Sequence, residues 1–194
     1  MQQHPIAQRP VPLTALYQKS EAINFTMASH EQVGLLLRSL VASKPKGNFL
    51  ELGTGMGISL CWMQDGMDNS SSLTTIDNDP QLLDIVSPYF EDDSRITMIC
   101  EDAAIWLQHY EGLDFDLVFA DAWPGKYDHL ELILKRIKPG GFYVVDDLKK
   151  QANWPEGHEH NVERLVQLLE ARKDFTIITI DWATGTGIAI KKVV

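Results

Sequence analysis

The sequence predicts an α/β fold: a doubly wound, mostly parallel sheet of seven strands that closes with a C-terminal antiparallel hairpin strand. Two observations predict it. Five short apolar runs alternate with stretches of helical spacing, which indicates parallel β-α-β crossovers and a sheet covered on both faces. The last two runs, Phe175–Ile180 and Gly187–Ile190, are too close together for a helical crossover, so they should pair antiparallel.

The elements follow in order. His4–Pro12 carries three prolines and reads as extended, so residues 1–24 are taken as an N-terminal arm and 25–194 as one functional domain. Val33, Leu36, Leu37, Leu40 and Val41 have helical spacing, with Ser29 or His30 at the start and Pro45 and Gly47 beyond the end. Strands are expected at Phe49–Leu52, Leu73–Ile76, Ile96–Cys100, Phe115–Ala120 and Phe142–Val145. Between them Ser59–Gln64 and Ala103–His109 read as helical, and Pro80 opens a helix at the favoured first-turn position. Leu130, Ile133, Leu134 and Ile137 mark a helix stopped by Pro139-Gly140-Gly141, and Val162, Leu165, Val166 and Leu169 mark another.

Composition narrows the function. At 194 residues the chain suits a single domain, and 44% hydrophobic with 23% charged residues is ordinary globular usage. The net charge of -10 repels phosphate, so nucleic acid is not an expected partner. No apolar run approaches a membrane span, and the polar, Pro-rich N-terminus lacks the apolar core of a signal peptide; a cytoplasmic protein is expected. Cys61 and Cys100 both lie in apolar stretches and read as reduced core thiols.

In such sheets ligands bind beyond the carboxyl ends of the strands. The first strand runs into Glu51-Leu52-Gly53-Thr54-Gly55-Met56-Gly57-Ile58-Ser59. Glycines allow a tight turn and close approach, and the helix that follows offers free N–H groups. The spacing is G-x-G-x-G rather than G-x-G-x-x-G, which disfavours a pyrophosphate. Glu51 suits a cationic amine, and S-adenosylmethionine combines such an amine with a carboxylate and no phosphate. Asp77-Asn78 at the end of the second strand is placed to accept from ribose hydroxyls. Asp102-Ala103 at the end of the third is placed to meet an adenine edge. The competing reading for each is structural: a plain tight turn, or a helix N-cap.

On these residues the chain resembles the class I S-adenosylmethionine-dependent methyltransferases, whose sheet is Rossmann-like. Glu51–Gly57 looks like their first motif, Asp77 their ribose acid, Asp102-Ala103 their adenine-side motif, and Leu134–Phe142 their L-K-P-G-G turn. Met27-Ala28-Ser29-His30-Glu31-Gln32 and Gly57-Ile58-Ser59 are similar to small O-methyltransferases of the catechol and caffeoyl-CoA type. The resemblance implies O-methylation of a small hydroxylated molecule. It also implies a cofactor site of Glu51, Gly53, Thr54, Gly55, Gly57, Ser59, Asp77, Asn78, Asp102, Ala103 and Asp121. A nucleotide-dependent oxidoreductase and a non-catalytic cofactor-binding module are the alternatives, and a homodimer stays open. The short arm leaves little room for the extra N-terminal helices of those enzymes.

Around the acceptor, Lys126 is the candidate base, provided burial or nearby cations lower its pKa. In the resembled enzymes the lysine follows the strand-four aspartate by about three residues; here it follows Asp121 by five, across Pro124-Gly125. Trp123 is a candidate pocket wall, and Asn153–His158 a loop beside the site, with His158 and His160 read as solvated. Asp121, Asp146 and Asp147 end neighbouring strands and are the candidate ligands of a divalent Mg²⁺, Mn²⁺ or Ca²⁺. Asp147 stands where those enzymes commonly have Asn.

Overall fold

The computed structural model describes residues 8–151 and 154–193. Its sheet has seven strands: β1 (Asn48–Leu52), β2 (Ser72–Asp77), β3 (Ile96–Cys100), β4 (Phe115–Ala120), β5 (Ile137–Val145), β6 (Phe175–Ile180) and β7 (Thr186–Lys191). The spatial order is β3-β2-β1-β4-β5-β7-β6. The first five strands pair in parallel, and β7 runs antiparallel between β5 and β6. The expected mostly parallel sheet with its reversed hairpin strand is thus the observed one. β1 and β4 are central and almost wholly buried, because helices cover both of their faces.

Seven α-helices supply that cover: α1 (Leu13–Ala22), α2 (Glu31–Ala42), α3 (Ile58–Gly66), α4 (Pro80–Val86), α5 (Ala103–His109), α6 (Leu130–Lys135) and α7 (His158–Glu170). Alternation along the strands divides the core into two. Phe49, Leu117, Phe119 and Val144 pack with apolar side chains of α1 to α4. Leu50, Leu52, Val118, Tyr143 and Val145 point the other way, onto α5, α6 and α7.

Four details differ from the sequence reading. A helix, α1, occupies part of the segment read as an arm, and Leu13 and Leu16 bury completely in the core. Pro139-Gly140-Gly141 does not merely stop α6; it lies inside β5, where the register with β4 shifts between Phe115 and Leu117. His158 to His160 form the first turn of α7 rather than a loop. Cys100 is exposed on the edge strand β3, whereas Cys61 is buried as expected.

The tightest helix contact sets a local limit. Gly34 of α2 lies against the fully buried Trp62 indole of α3, and a Cβ at position 34 would overlap the ring. Trp62 has no space into which to retreat, so Gly34→Ala should cost about 1–3 kcal/mol by overpacking, measured as a lowered urea midpoint at unchanged slope.

Candidate active site

The carboxyl ends of β1, β2, β3, β4 and β5 open on one edge. Three adjoining cavities run along it, of about 260, 470 and 300 Å³. All three are lined by Ala122, two residues past the end of β4, so they form one trough.

The middle of the trough is the glycine turn. Gly53, Gly55 and Gly57 all have positive φ (99°, 50° and 71°), which is why the turn needs glycine. At Gly53 a Cβ would come within 3.0 Å of the Asp121 carbonyl oxygen, and at Gly57 it would strike Val86. Asp77 holds the turn in place: Gly55 N–H donates to its Oδ2 at 2.8 Å, and Asp79 N–H to its Oδ1 at 3.0 Å. Gly53, Thr54, Gly55, Ser59, Asp77, Asn78 and Asp121 all line the 260 Å³ cavity. Beside it, Asp77, Asn78, Asp102 and Ala103 line the 470 Å³ cavity together with Trp123. Asp102 also caps α5, its Oδ1 accepting from Ala104 and Ile105 N–H at 2.7 and 3.3 Å. The N-cap reading of Asp102 therefore holds alongside its place in the cavity wall.

Gly57 is not among the cavity-lining residues; it shapes the entry to α3 as its N-cap. Glu51 also lies behind the wall, fully buried in the middle of the sheet. Thr75 Oγ1 donates to Glu51 Oε2 at 2.6 Å. The Thr75 proton is thereby committed, so Thr54 donates to Thr75 across their 2.6 Å contact. Glu51 Oε1 is buried with no partner among the described residues. Burial pushes the Glu51 carboxyl up to about 7, with the Thr75 hydrogen bond and the nearby Ser59 hydroxyl opposing the rise.

The 300 Å³ cavity lies on the far side of Asp121. Its walls include Met27, Ser29, Trp123, Lys126, Tyr127, Asp146, Asp147, Trp154 and His158. Four rings meet there: Trp123, Tyr127 and Trp154 lie 5.4, 5.2 and 4.6 Å from His158 between centroids. Tyr127 Oη and His158 Nε2 are 3.1 Å apart. The reading of His158 as solvated is thus corrected, since α7 begins at that residue and turns its ring onto Tyr127. His160 is exposed, 3.5 Å from Glu163. Asn153 lies outside the described residues. Sequence reasoning missed Tyr127 altogether, because its role depends on the path of the loop after β4. Phe25 and Met27 line the trough from the segment before α2, and the only signal for them was the likeness around Met27–Gln32.

Lys126 is buried (5% exposed), not an exposed lysine at a helix start. Asp121, Asp146 and Asp147 line the same cavity. Asp121 has its carboxyl raised well above the usual range by burial, with Lys126 opposing and Asp146, Asp147 and Glu51 adding to the rise. Burial likewise raises Asp146, whose Oδ1 accepts from Thr184 and Thr186 at 2.8 and 3.2 Å.

The expected metal trio does not assemble. Asp121, Asp146 and Asp147 share the cavity, and Asp147 takes positive φ (57°), the backbone turn that joint ligation would need. Yet among the described residues no three His, Cys, Asp or Glu side chains are grouped to hold a metal ion. One oxygen of Asp146 is committed to two threonines, and a lysine shares the cavity. The residues therefore do not fit a divalent cation.

A trough on the carboxyl edge of a seven-stranded sheet, with a glycine turn and acids on successive strand ends, defines a nucleoside-cofactor site of the methyltransferase class. The chain belongs to a methyltransferase domain family, whose model matches residues 50–148. A protein of Mycobacterium avium, provisionally named an O-methyltransferase, is 34% identical over 118 residues, 58% of this chain and 53% of the relative. The chain aligns with about half the length of that relative. Two solved structures share the fold over 97% of this chain at 21% identity. They are the Bacillus cereus O-methyltransferase in complex with S-adenosylhomocysteine (TM-score 0.85, 94% of that chain) and TomG of Streptomyces achromogenes with S-adenosylmethionine (0.84, 93%). Among the described residues no helix is long and apolar enough to cross a membrane.

The buried Glu51 gives a test of these electrostatics. Its folded-state pKa, about 7, lies above the ordinary 4.5, so folding favours the protonated form. That contribution is whole below about pH 4.5 and is lost as the pH rises through about 7. Between pH 4.5 and 8 the parent should lose up to about 3 kcal/mol that Glu51→Gln retains, read from urea unfolding of both proteins at each pH.

Proposed function

We propose that the protein is an S-adenosylmethionine-dependent O-methyltransferase acting on a small hydroxylated molecule. The observation that carries this is the ordered trough: the glycine turn, Asp77 and Asp102, on three successive strand ends, face two adjoining cavities. The wall fits the cofactor chemically. Asp77 and Asn78 offer acceptors for ribose hydroxyls, and Asp102 with the Ala103 N–H offers an acceptor and a donor to adenine. Gly53, Thr54, Gly55 and Ser59 form the wall for the amino-acid end. Asp121 in the wall and the unpartnered oxygen of Glu51 behind it are acceptors for a cationic amine, whose charge would draw both raised carboxyls back toward the ionised form. Gly57 sets the turn.

S-adenosylmethionine supplies an electrophilic sulfonium methyl when bound. The protein's part is to place an acceptor oxygen in line with it and to exclude water. The third cavity is the acceptor chamber in this reading, because it meets the first across Ser29, Asp121 and Ala122. Its rings suit an apolar or aromatic acceptor body. The named relative and the two solved O-methyltransferases support the same reading.

Incubation with S-adenosylmethionine and a panel of phenols and other hydroxylated compounds should release S-adenosylhomocysteine with at least one of them. Cofactor binding without turnover on any would leave a binding module instead. Asp77→Ala should weaken S-adenosylhomocysteine binding by about 1.5–3 kcal/mol in calorimetry, the scale of charge-assisted hydrogen bonds. Unchanged affinity in that variant would remove Asp77 from the site.

A further inference from the structure

We propose that the Lys126 ammonium is the resident cation of the acceptor chamber, standing among its aspartates where a divalent ion would otherwise be needed, and that it grips the acceptor oxygen. The proposal rests on the reading of that chamber as the acceptor side of an O-methyltransferase. Its ground is the loop that follows β4. Gly125 has φ of 86°, and its N–H donates to Asp128 O at 2.6 Å. Tyr143 Oη, buried in the sheet, donates to Gly125 O at 2.8 Å. The Leu52 side chain fills the space where a Cβ of residue 125 would lie. The two residues inserted ahead of Lys126, Pro124 and Gly125, thus fold back onto the sheet and bury the lysine in the wall between the chamber and a smaller cavity of about 120 Å³.

The charge balance there points the same way. Asp121, Asp146 and Asp147 line the chamber, and Lys126 is its only lysine or arginine among the described residues. The other lysines near its mouth are engaged elsewhere: Lys149 pairs with Asp181 at 2.6 Å and Lys150 with Glu159 at 3.5 Å. Clustered carboxylates repel unless a cation lies among them. Lys126 is within 5.3 Å of the Tyr127 ring centroid, yet among the described residues it forms no direct ion pair. Its three donors therefore serve the cluster as a whole while staying available to a ligand oxygen. The ammonium stabilises the acceptor as its oxyanion, the hydroxyl proton having left to water, and the oxyanion forms its bond to the methyl as the methyl–sulfur bond breaks and neutral S-adenosylhomocysteine leaves. A chelated metal binds two oxygens of a ligand, whereas an ammonium needs only one. The acceptor class that follows is a compound with a single hydroxyl, with no requirement for a vicinal pair.

Two measurements decide it. Electron paramagnetic resonance of Mn²⁺, titrated to about 1 mM with S-adenosylhomocysteine bound, should show no stoichiometric site on the parent protein. Stoichiometric Mn²⁺ that disappears in Asp147→Asn would overturn the proposal, and this arm needs no turnover. The second is turnover in two variants. Lys126→Met should lower kcat at least about 100-fold while S-adenosylhomocysteine affinity stays within about twofold. Lys126→Arg should recover at least about tenfold of that loss, because arginine keeps the charge and cannot accept a proton. An arginine variant as inactive as the methionine one, with cofactor affinity intact, would make Lys126 a base and sink the cation role. Methylation of no hydroxylated compound by the parent would instead defeat the functional reading, leaving the Mn²⁺ result to decide this one.

Discussion

Gly53 follows β1 where Asp121 follows β4, and the two backbones pass so closely that a Cβ at Gly53 would lie 3.0 Å from the Asp121 carbonyl oxygen. Asp121 N–H donates to Leu52 O and Gly53 N–H to Ile76 O, so the close approach is continuous with the sheet itself. The rest of the edge depends on that contact. It brings the glycine turn, Asp77 and the cavity lined by Lys126 together around Ala122. It also fixes which way the loop after β4 leaves the sheet. Any widening there would separate cavities that must share a wall if a methyl group is to pass between their occupants.

The second constraint is charge. Glu51 and Asp146 are buried, and Asp121 sits between cavities, so the site concentrates carboxylates where water is scarce. Hydroxyls from Thr75, Thr184 and Thr186 offset part of the desolvation cost. The remainder holds the Glu51, Asp121 and Asp146 carboxyls above their ordinary range, so a cation arriving at this edge would lower them again.

Much of this was legible in the residues because it depends on local chemistry. The glycine turn, Asp77 and Asp102 announce themselves, since glycine spacing and acids at strand ends are written in consecutive positions. The reversed strand β7 followed from a spacing too short for a helix. What the sequence concealed depends on path. Tyr127 and His158 lie 31 positions apart and meet only because the loop after β4 folds back toward the start of α7. Lys126 was a candidate base on a condition of burial or nearby cations, and its burial depends on that loop turning inward. The aspartate trio looked like a metal site because strand ends converge. Convergence of backbones does not say where the carboxylate oxygens are already committed, and Asp146 is committed to threonines of the β6–β7 connection and β7. Helix α1 was hidden by the prolines before it, although Leu13 and Leu16 repeat at the spacing of a helix face.

The place of β7 bears on how the molecule assembles. β6 pairs with β7 and with no other strand, and β7 alone joins it to β5. The strand that comes later in the chain is therefore the inner one, and the earlier strand is the outer. Until Thr186–Lys191 docks, β5 exposes an unpaired edge and β6 has no template. Five of the seven strands, from β3 to β5, can form by successive crossovers as the chain emerges, whereas the last two must wait and close together. Thr184 and Thr186, which hold the Asp146 carboxylate, arrive in that same step, so the wall of the cavity around Asp146 is completed only when the sheet itself is.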